Sequence, residues 1–220
     1  GLDGNDTYRN SSAQAFGRFA ITPSSQITAR IFGANTYTQL NTSPAALSDL
    51  PATGDIPAIA GRTFNTDLND PDYSRSAYYV SGMLSYLQRL GRAASMRITY
   101  QGLATSRRND NGPAGPGFFQ PHFSSFTLFD GRLDTLQART DIQLGRFNLI
   151  TAGYEFEREG YHDHSFDQDP SPTHVNAGTD IEQRSNAVFA QDQVRLLDGR
   201  LQVSLSGRMQ GYSVDRPRFR

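Results

Sequence analysis

Residues 201–212 read LQVSLSGRMQGY. Leu201, Val203, Leu205, Gly207 and Met209 fall on one side of an extended chain, and Gln202, Ser204, Ser206, Arg208 and Gln210 on the other. A period of two belongs to a strand, whose successive side chains point to opposite faces, and not to a helix. Three more stretches obey the same rule. Tyr78, Val80, Gly82, Leu84 and Tyr86 oppose Ser81, Ser85 and Arg89; Met96, Ile98, Tyr100, Gly102 and Ala104 oppose Arg97, Thr99, Gln101, Leu103 and Thr105. Ile150, Ala152, Tyr154 and Phe156 oppose Thr151, Gly153, Glu155 and Glu157.

Weaker alternation over residues 12–22, 26–40, 126–144 and 181–197 predicts eight strands in all. Each is about as long as, or longer than, the roughly 9 to 11 residues a tilted strand needs to cross a bilayer. Short polar turns are expected at Pro23-Ser24-Ser25, Gly91 to Ser95, Gly145-Arg146 and Asp198-Gly199, the last a strong hairpin dipeptide. Long Pro, Gly, Asn and Asp-rich connections occupy 41–75, 108–124 and 162–180. Short turns at one end and long loops at the other describe an outer-membrane barrel, with periplasmic turns and extracellular loops. The apolar face of the four clean strands carries no charge, as lipid requires, while the other face has the Gln, Thr, Ser, Glu and Arg of a wet or plugged lumen. With the turn at Pro23 in the periplasm, both ends of the chain fall outside the cell. That topology argues against a closed eight-stranded barrel and for an antiparallel up-and-down meander within a larger one. A soluble antiparallel β protein with one solvated face is the alternative, disfavoured by strand length and loop asymmetry.

Composition removes other classes. Apolar residues make up 36% and charged residues 20%, with 14 Phe and 10 Tyr, too aromatic and too weakly charged for a disordered chain. No apolar run approaches the roughly 20 residues of a membrane helix. All 21 basic residues are Arg, balanced by 22 acids to a net charge of −1, so no nucleic-acid partner is expected. Without cysteine there is no disulfide framework and no thiolate chemistry.

The run LITAGYEFERE at 149–159 and the run NAVFAQDQVRLLDGRLQVSLSGRMQGY at 186–212 carry a family resemblance. Gly153-Tyr154-Glu155, then Phe189-Ala190-Gln191-Asp192, the turn Asp198-Gly199 and Gly207-Arg208 resemble successive strands of TonB-dependent outer-membrane receptors. The stretch from Gly4 to Gly33 is similar to paired strands of such barrels in a less specific way. The resemblance implies an all-β fold, a portion of a barrel of about 22 strands, in the bacterial outer membrane. It implies uptake of a scarce nutrient such as a ferric siderophore or cobalamin, with outer-membrane lipid, a metal chelate or corrinoid, and TonB as partners. The family's plug and TonB-contacting box lie upstream of the segment that 1–220 resembles. Arg208-Met209-Gln210 departs from the Arg-aromatic-Asp common in relatives. An enzyme or adhesin on a small outer-membrane barrel, and a soluble β-sheet binding domain, are the rival classes.

Candidate ligand contacts sit in the long connections. Phe118, Phe119 and His122 offer aromatic surface; His162, Asp163, His164 and His174 offer imidazole and carboxylate. A solvated polar loop is favoured over a metal site, because no fixed ligand spacing is present. No cofactor is expected, and no phosphate loop, nucleophile elbow or His-Glu-x-x-His motif occurs, so no catalytic residue is assigned. Arg139, Glu155, Glu157, Gln191 and Arg208 are expected to face the lumen, with Glu155, Glu157 and Glu159 pairing with inward arginines such as Arg139.

Overall fold

The computed structural model describes residues 7–40, 47–48, 58–59, 62–64, 70–115, 124–168, 175–197, 200–215 and 218–219. In chain order the strands are β1 (Tyr8–Thr22), β2 (Ser25–Gln39), β3 (Leu47–Ser48), β4 (Ala58–Ile59), β5 (Arg62–Phe64), β6 (Ser74–Leu90), β7 (Ala94–Asn111), β8 (Ser124–Leu144), β9 (Asn148–Gln168), β10 (Val175–Leu196), β11 (Leu201–Val214) and β12 (Arg218–Phe219). The eight long strands form one antiparallel meander in the order β1-β2-β6-β7-β8-β9-β10-β11, with β1 and β11 as its edges. The short β12 pairs with β10 beyond the end of β11, through Thr179↔Phe219 and Asp180↔Arg218. The short strands β3, β4 and β5 make a separate small sheet in the order β3-β5-β4, within the connection from β2 to β6.

Turn chemistry closes the short ends. Gly91 and Gly145 adopt positive φ of 77° and 59°, which a residue without a Cβ tolerates at no steric cost. The hairpin at Gly145 is a three-residue turn, since Leu144 pairs with Asn148. Asp198-Gly199 lies outside the described residues, between Leu197 with φ 54° and Arg200, whose N–H donates to the Leu197 carbonyl at 3.1 Å.

At the other end the strands run on further than composition suggests. β8, β9 and β10 are 21, 21 and 22 residues long, about twice what a bilayer crossing needs. β9 continues through His162, Asp163 and His164 to Gln168, and β10 starts at Val175, so most of 162–180 is a paired hairpin and not the loop expected. β7 likewise runs to Asn111. Pairing with a neighbour on each side overrides the low strand propensity of Asp, Gly and Asn.

Register assigns the two faces across the whole sheet, because directly opposed residues share a face. One face carries Phe19, Ile31, Val80, Ile98, Leu136, Tyr154, Val188 and Met209; the other carries Thr28, Ser85, Thr99, Gln137, Glu155, Gln191 and Ser206. On the apolar face the uncharged stretch spans seven residues on β9 (Ile150–Phe156), nine on β1 (Ala13–Ile21) and eleven on β7 (Ala94–Ala104), close to the length of one crossing. It ends at Arg9, Arg108, Asp134, Arg158 and Arg184 on their respective strands. The boundary follows one level of the register from Arg9 to Arg108 and another from Asp134 through Arg158 to Arg184, with a step of several residues between β7 and β8. Asp192 is the exception within the belt: its Oδ2 accepts from Asn148 at 3.4 Å and its buried Oδ1 has no partner.

Burial follows the same division. Met209 on the apolar face is 74% exposed, whereas Ala187, Ser185 and Thr99 on the polar face are buried, Ala187 to 2%. With two unpaired edges and an uncovered apolar face, residues 1–220 alone should associate in detergent-free buffer. Sedimentation should show large species; a monodisperse monomer with a cooperative unfolding transition would contradict the lipid-facing assignment.

Candidate functional site

The polar face of β8–β11 is where the family-like motifs meet. Phe189 is directly opposite Gly153 on one side and Arg208 on the other. Its ring lies over Gly153, where a Cβ would come within 2.8 Å of Phe189 Cε1 and 2.7 Å of the Ala138 carbonyl oxygen. A glycine is therefore needed at 153 to let the ring and the neighbouring backbone approach. Beside it, Arg208 Nη2 donates to Glu155 Oε1 at 2.6 Å and Arg208 Nε donates to Gln210 Oε1 at 3.2 Å. Gln137 Nε2 donates to Glu155 Oε2 at 3.0 Å, and Gln210 Nε2 to the Ser185 hydroxyl at 3.2 Å. One chain of hydrogen bonds thus ties four strands, and three sequence motifs become one cluster.

Arg139, Glu155, Glu157, Gln191 and Arg208 all stand on this polar face. The pairing differs from expectation. Arg139 reaches Asp141, two residues along its own strand, at 3.0 Å, and the Thr151 hydroxyl donates to the same carboxylate at 2.7 Å. Glu155 takes Arg208 from two strands away instead of Arg139. The three-residue turn at 145–147 sets Arg139 against Gly153 and Gln137 against Glu155, so counting from that turn would have found the contact. Gln137 and Asp141 were not singled out in the sequence; the i, i+2 spacing of Arg139 and Asp141 was the available signal.

Since Arg208 is 42% exposed and Glu155 19%, water screens their ion pair, which should contribute only weakly to stability. A double-mutant cycle of Arg208→Ala and Glu155→Ala on urea unfolding of the folded receptor should return a small but measurable coupling. A coupling near zero would mean solvent already satisfies both groups.

The strand period separates the imidazoles and carboxylate of 162–164. His162 and His164 share the face of the apolar belt, beyond its upper edge, while Asp163 lies on the polar face opposite Thr179. His162 Nδ1 hydrogen-bonds to Asp180, and the His164 ring sits 6.0 Å from that of Phe126. With Asp130, Arg132, Glu182 and Tyr78, His162 and Asp180 line a groove of about 560 Å³. Around it run outward ion pairs: Arg132–Asp134 at 2.7 Å, Arg158–Glu182 at 2.7 Å and Arg184–Glu182 at 2.6 Å. Apart from Asp192, the charges that the strands carry on this face lie beyond the apolar belt. Among the described residues, no group of three or more His, Asp or Glu converges as a metal site. Phe118, Phe119, His122 and His174 lie outside the described residues.

Comparison with known proteins agrees with this geometry. In the solved structure of the ferric citrate transporter FecA in its unliganded form, 30% of the chain superposes on 95% of this one with a TM-score of 0.65 at 13% identity. BauA, the ferric preacinetobactin receptor from Acinetobacter baumannii, gives a TM-score of 0.59 at 9% identity, over 98% of this chain and 37% of that one. At these identities the likeness is one of fold, and the chain spans well under half of either receptor. No curated protein matches by sequence. Over residues 3–220, however, the chain matches the family described as TonB dependent receptor-like, beta-barrel, a family of receptors of the bacterial outer membrane and not of enzymes. The all-β meander, its apolar belt and its polar network belong together for that reason: the chain is a member of the TonB-dependent receptor-like β-barrel family.

Proposed function

We propose that residues 1–220 form part of a 22-stranded barrel whose whole protein takes up a scarce nutrient through the outer membrane. TonB would supply the energy through a region outside these residues. A ferric siderophore is favoured over a corrinoid, because both solved relatives are named for ferric ligands. The family match over nearly the whole chain carries the reading. On it, the polar face lines the lumen, with Arg139, Glu155, Glu157, Gln191 and Arg208 on the wall or against a plug. The long β9–β10 hairpin carries His162, Asp163 and His164 beyond the apolar belt; on this reading they contact ligand together with Phe118, Phe119, His122 and His174 of the connections.

The test is to shorten 112–123 and 169–174 to tight turns in the full-length receptor. Heat-resistant folding in outer membranes should persist, because the flanking strands are paired along their length, while TonB-dependent uptake of radioactive iron should fall at least tenfold. Unchanged uptake would place recognition elsewhere on the receptor.

A further inference from the structure

Two of the long connections are joined at their bases. Gln39 Nε2, at the end of β2, donates to the Asp70 carbonyl at 3.2 Å, and the Leu40 N–H donates to the Tyr73 carbonyl at 2.8 Å, so the chain that leaves β2 meets the chain that enters β6. Asp70 makes the turn into β6. It is 1% exposed, and its Oδ1 accepts from the N–H groups of Asp72 and Tyr73 at 3.3 and 3.0 Å.

Asp72 then reaches the next connection. Ser74 pairs with Asp110, so continuing the ladder count sets Asp72 opposite Gly112, just past the end of β7. Asp72 Oδ2 accepts from the Ala114 N–H at 2.8 Å. An added Cβ on Gly112 would come within 2.8 Å of Asp72 Cγ and 3.3 Å of its Cβ, so the carboxylate lies directly over the glycine. A carboxylate accepting from a backbone N–H is the stronger kind of hydrogen bond. We infer that Asp72 is a positioning residue, a latch that holds the start of 112–123 against the base of 41–69. Through it the two connections leave the sheet tied together. Its service to ligand capture rests on the proposed uptake function; the latch itself does not.

Hydrogen exchange on the purified full-length receptor tests the latch. Asp72→Ala should speed exchange in the segment containing Ala114 roughly tenfold, the size expected of one hydrogen bond to a charged group, and leave the β6–β7 ladder at native rates. Asp72→Asn keeps an acceptor oxygen and should restore most of the protection. Gly112→Ala pushes the carboxylate aside without removing it and should behave as Asp72→Ala does. Equal exchange in the native receptor and Asp72→Ala, acceleration spread along β6 and β7, or no rescue by Asp72→Asn would each overturn the latch. With folded receptor matched in amount, TonB-dependent uptake of radioactive iron should fall several-fold in Asp72→Ala and recover in Asp72→Asn. A faster-exchanging but fully active Asp72→Ala would overturn the positioning role. A native receptor that takes up no iron would instead remove the uptake reading, and the exchange result would still decide the latch.

Discussion

Leu84→Arg should sharply lower the yield of folded receptor in outer membranes, at a cost of about 2–4 kcal/mol. Leu84 lies on the apolar face of β6, 53% exposed, flanked across the sheet by Ala29 and Tyr100. It is near the middle of the uncharged stretch from Tyr78 to Tyr86, so an arginine has neither a counter-charge nor a short path to water. Thr135→Arg supplies the contrast at a similar level on the polar face, where its neighbour across the ladder is Glu157. That variant should fold as the native receptor does. The assay is the fraction migrating as heat-modifiable folded barrel in isolated outer membranes. Equal fractions for the two variants would overturn the assignment of this face to lipid, and the reverse order would show the faces exchanged. Leu205, although 77% exposed on the same face, is a poorer probe, because it is directly opposite Asp192 and an arginine there would acquire an ion pair.

Gly153→Val should destabilise the barrel by about 1–3 kcal/mol, the usual cost of overpacking. Two obstacles meet any side chain there: the Phe189 ring and the Ala138 carbonyl oxygen, 2.7 Å from the added Cβ. The ring can be removed and the backbone cannot. Phe189→Ala in the Gly153→Val background should recover part of the loss, whereas Phe189→Ala alone should be destabilising because it uncovers Gly153. The midpoint of thermal loss of the folded band measures both. Strict additivity of the two substitutions would show that the ring does not rest on Gly153. By contrast Gly17, Gly160 and Gly207 have open space where a Cβ would go, and alanine at those positions should be nearly neutral.

The eight long strands, their order and the identity of the two faces were legible in the chain, because a period of two survives wherever one face meets lipid and the other water. The periodic cores at 77–90, 96–106, 149–159 and 201–212 all fall within observed strands. Strand ends were not legible. Beyond the membrane both faces are wet, so alternation fades, and the sequence from His162 to Asp180 looks like a loop although β9 and β10 pair through most of it. Propensity reports what a residue favours alone; the ladder reports what its neighbours hold in place.

Pairing of individual side chains needed the register. That Glu155 and Arg208 share a face follows from counting alternate residues, but that they touch depends on β10 lying between them and on Ala187 being small enough to leave the path open. Likewise the sequence shows arginines scattered from Arg18 to Arg107, and only the order β1-β2-β6-β7 gathers them onto one acid-free stretch of wall. Composition and alternation, local properties of an extended chain, determined by themselves that this is an antiparallel β-meander of long strands with one apolar and one polar face. The tertiary structure decided which motif residues meet, because contacts across a sheet are set by register, and register is the outcome of all the ladders closing together.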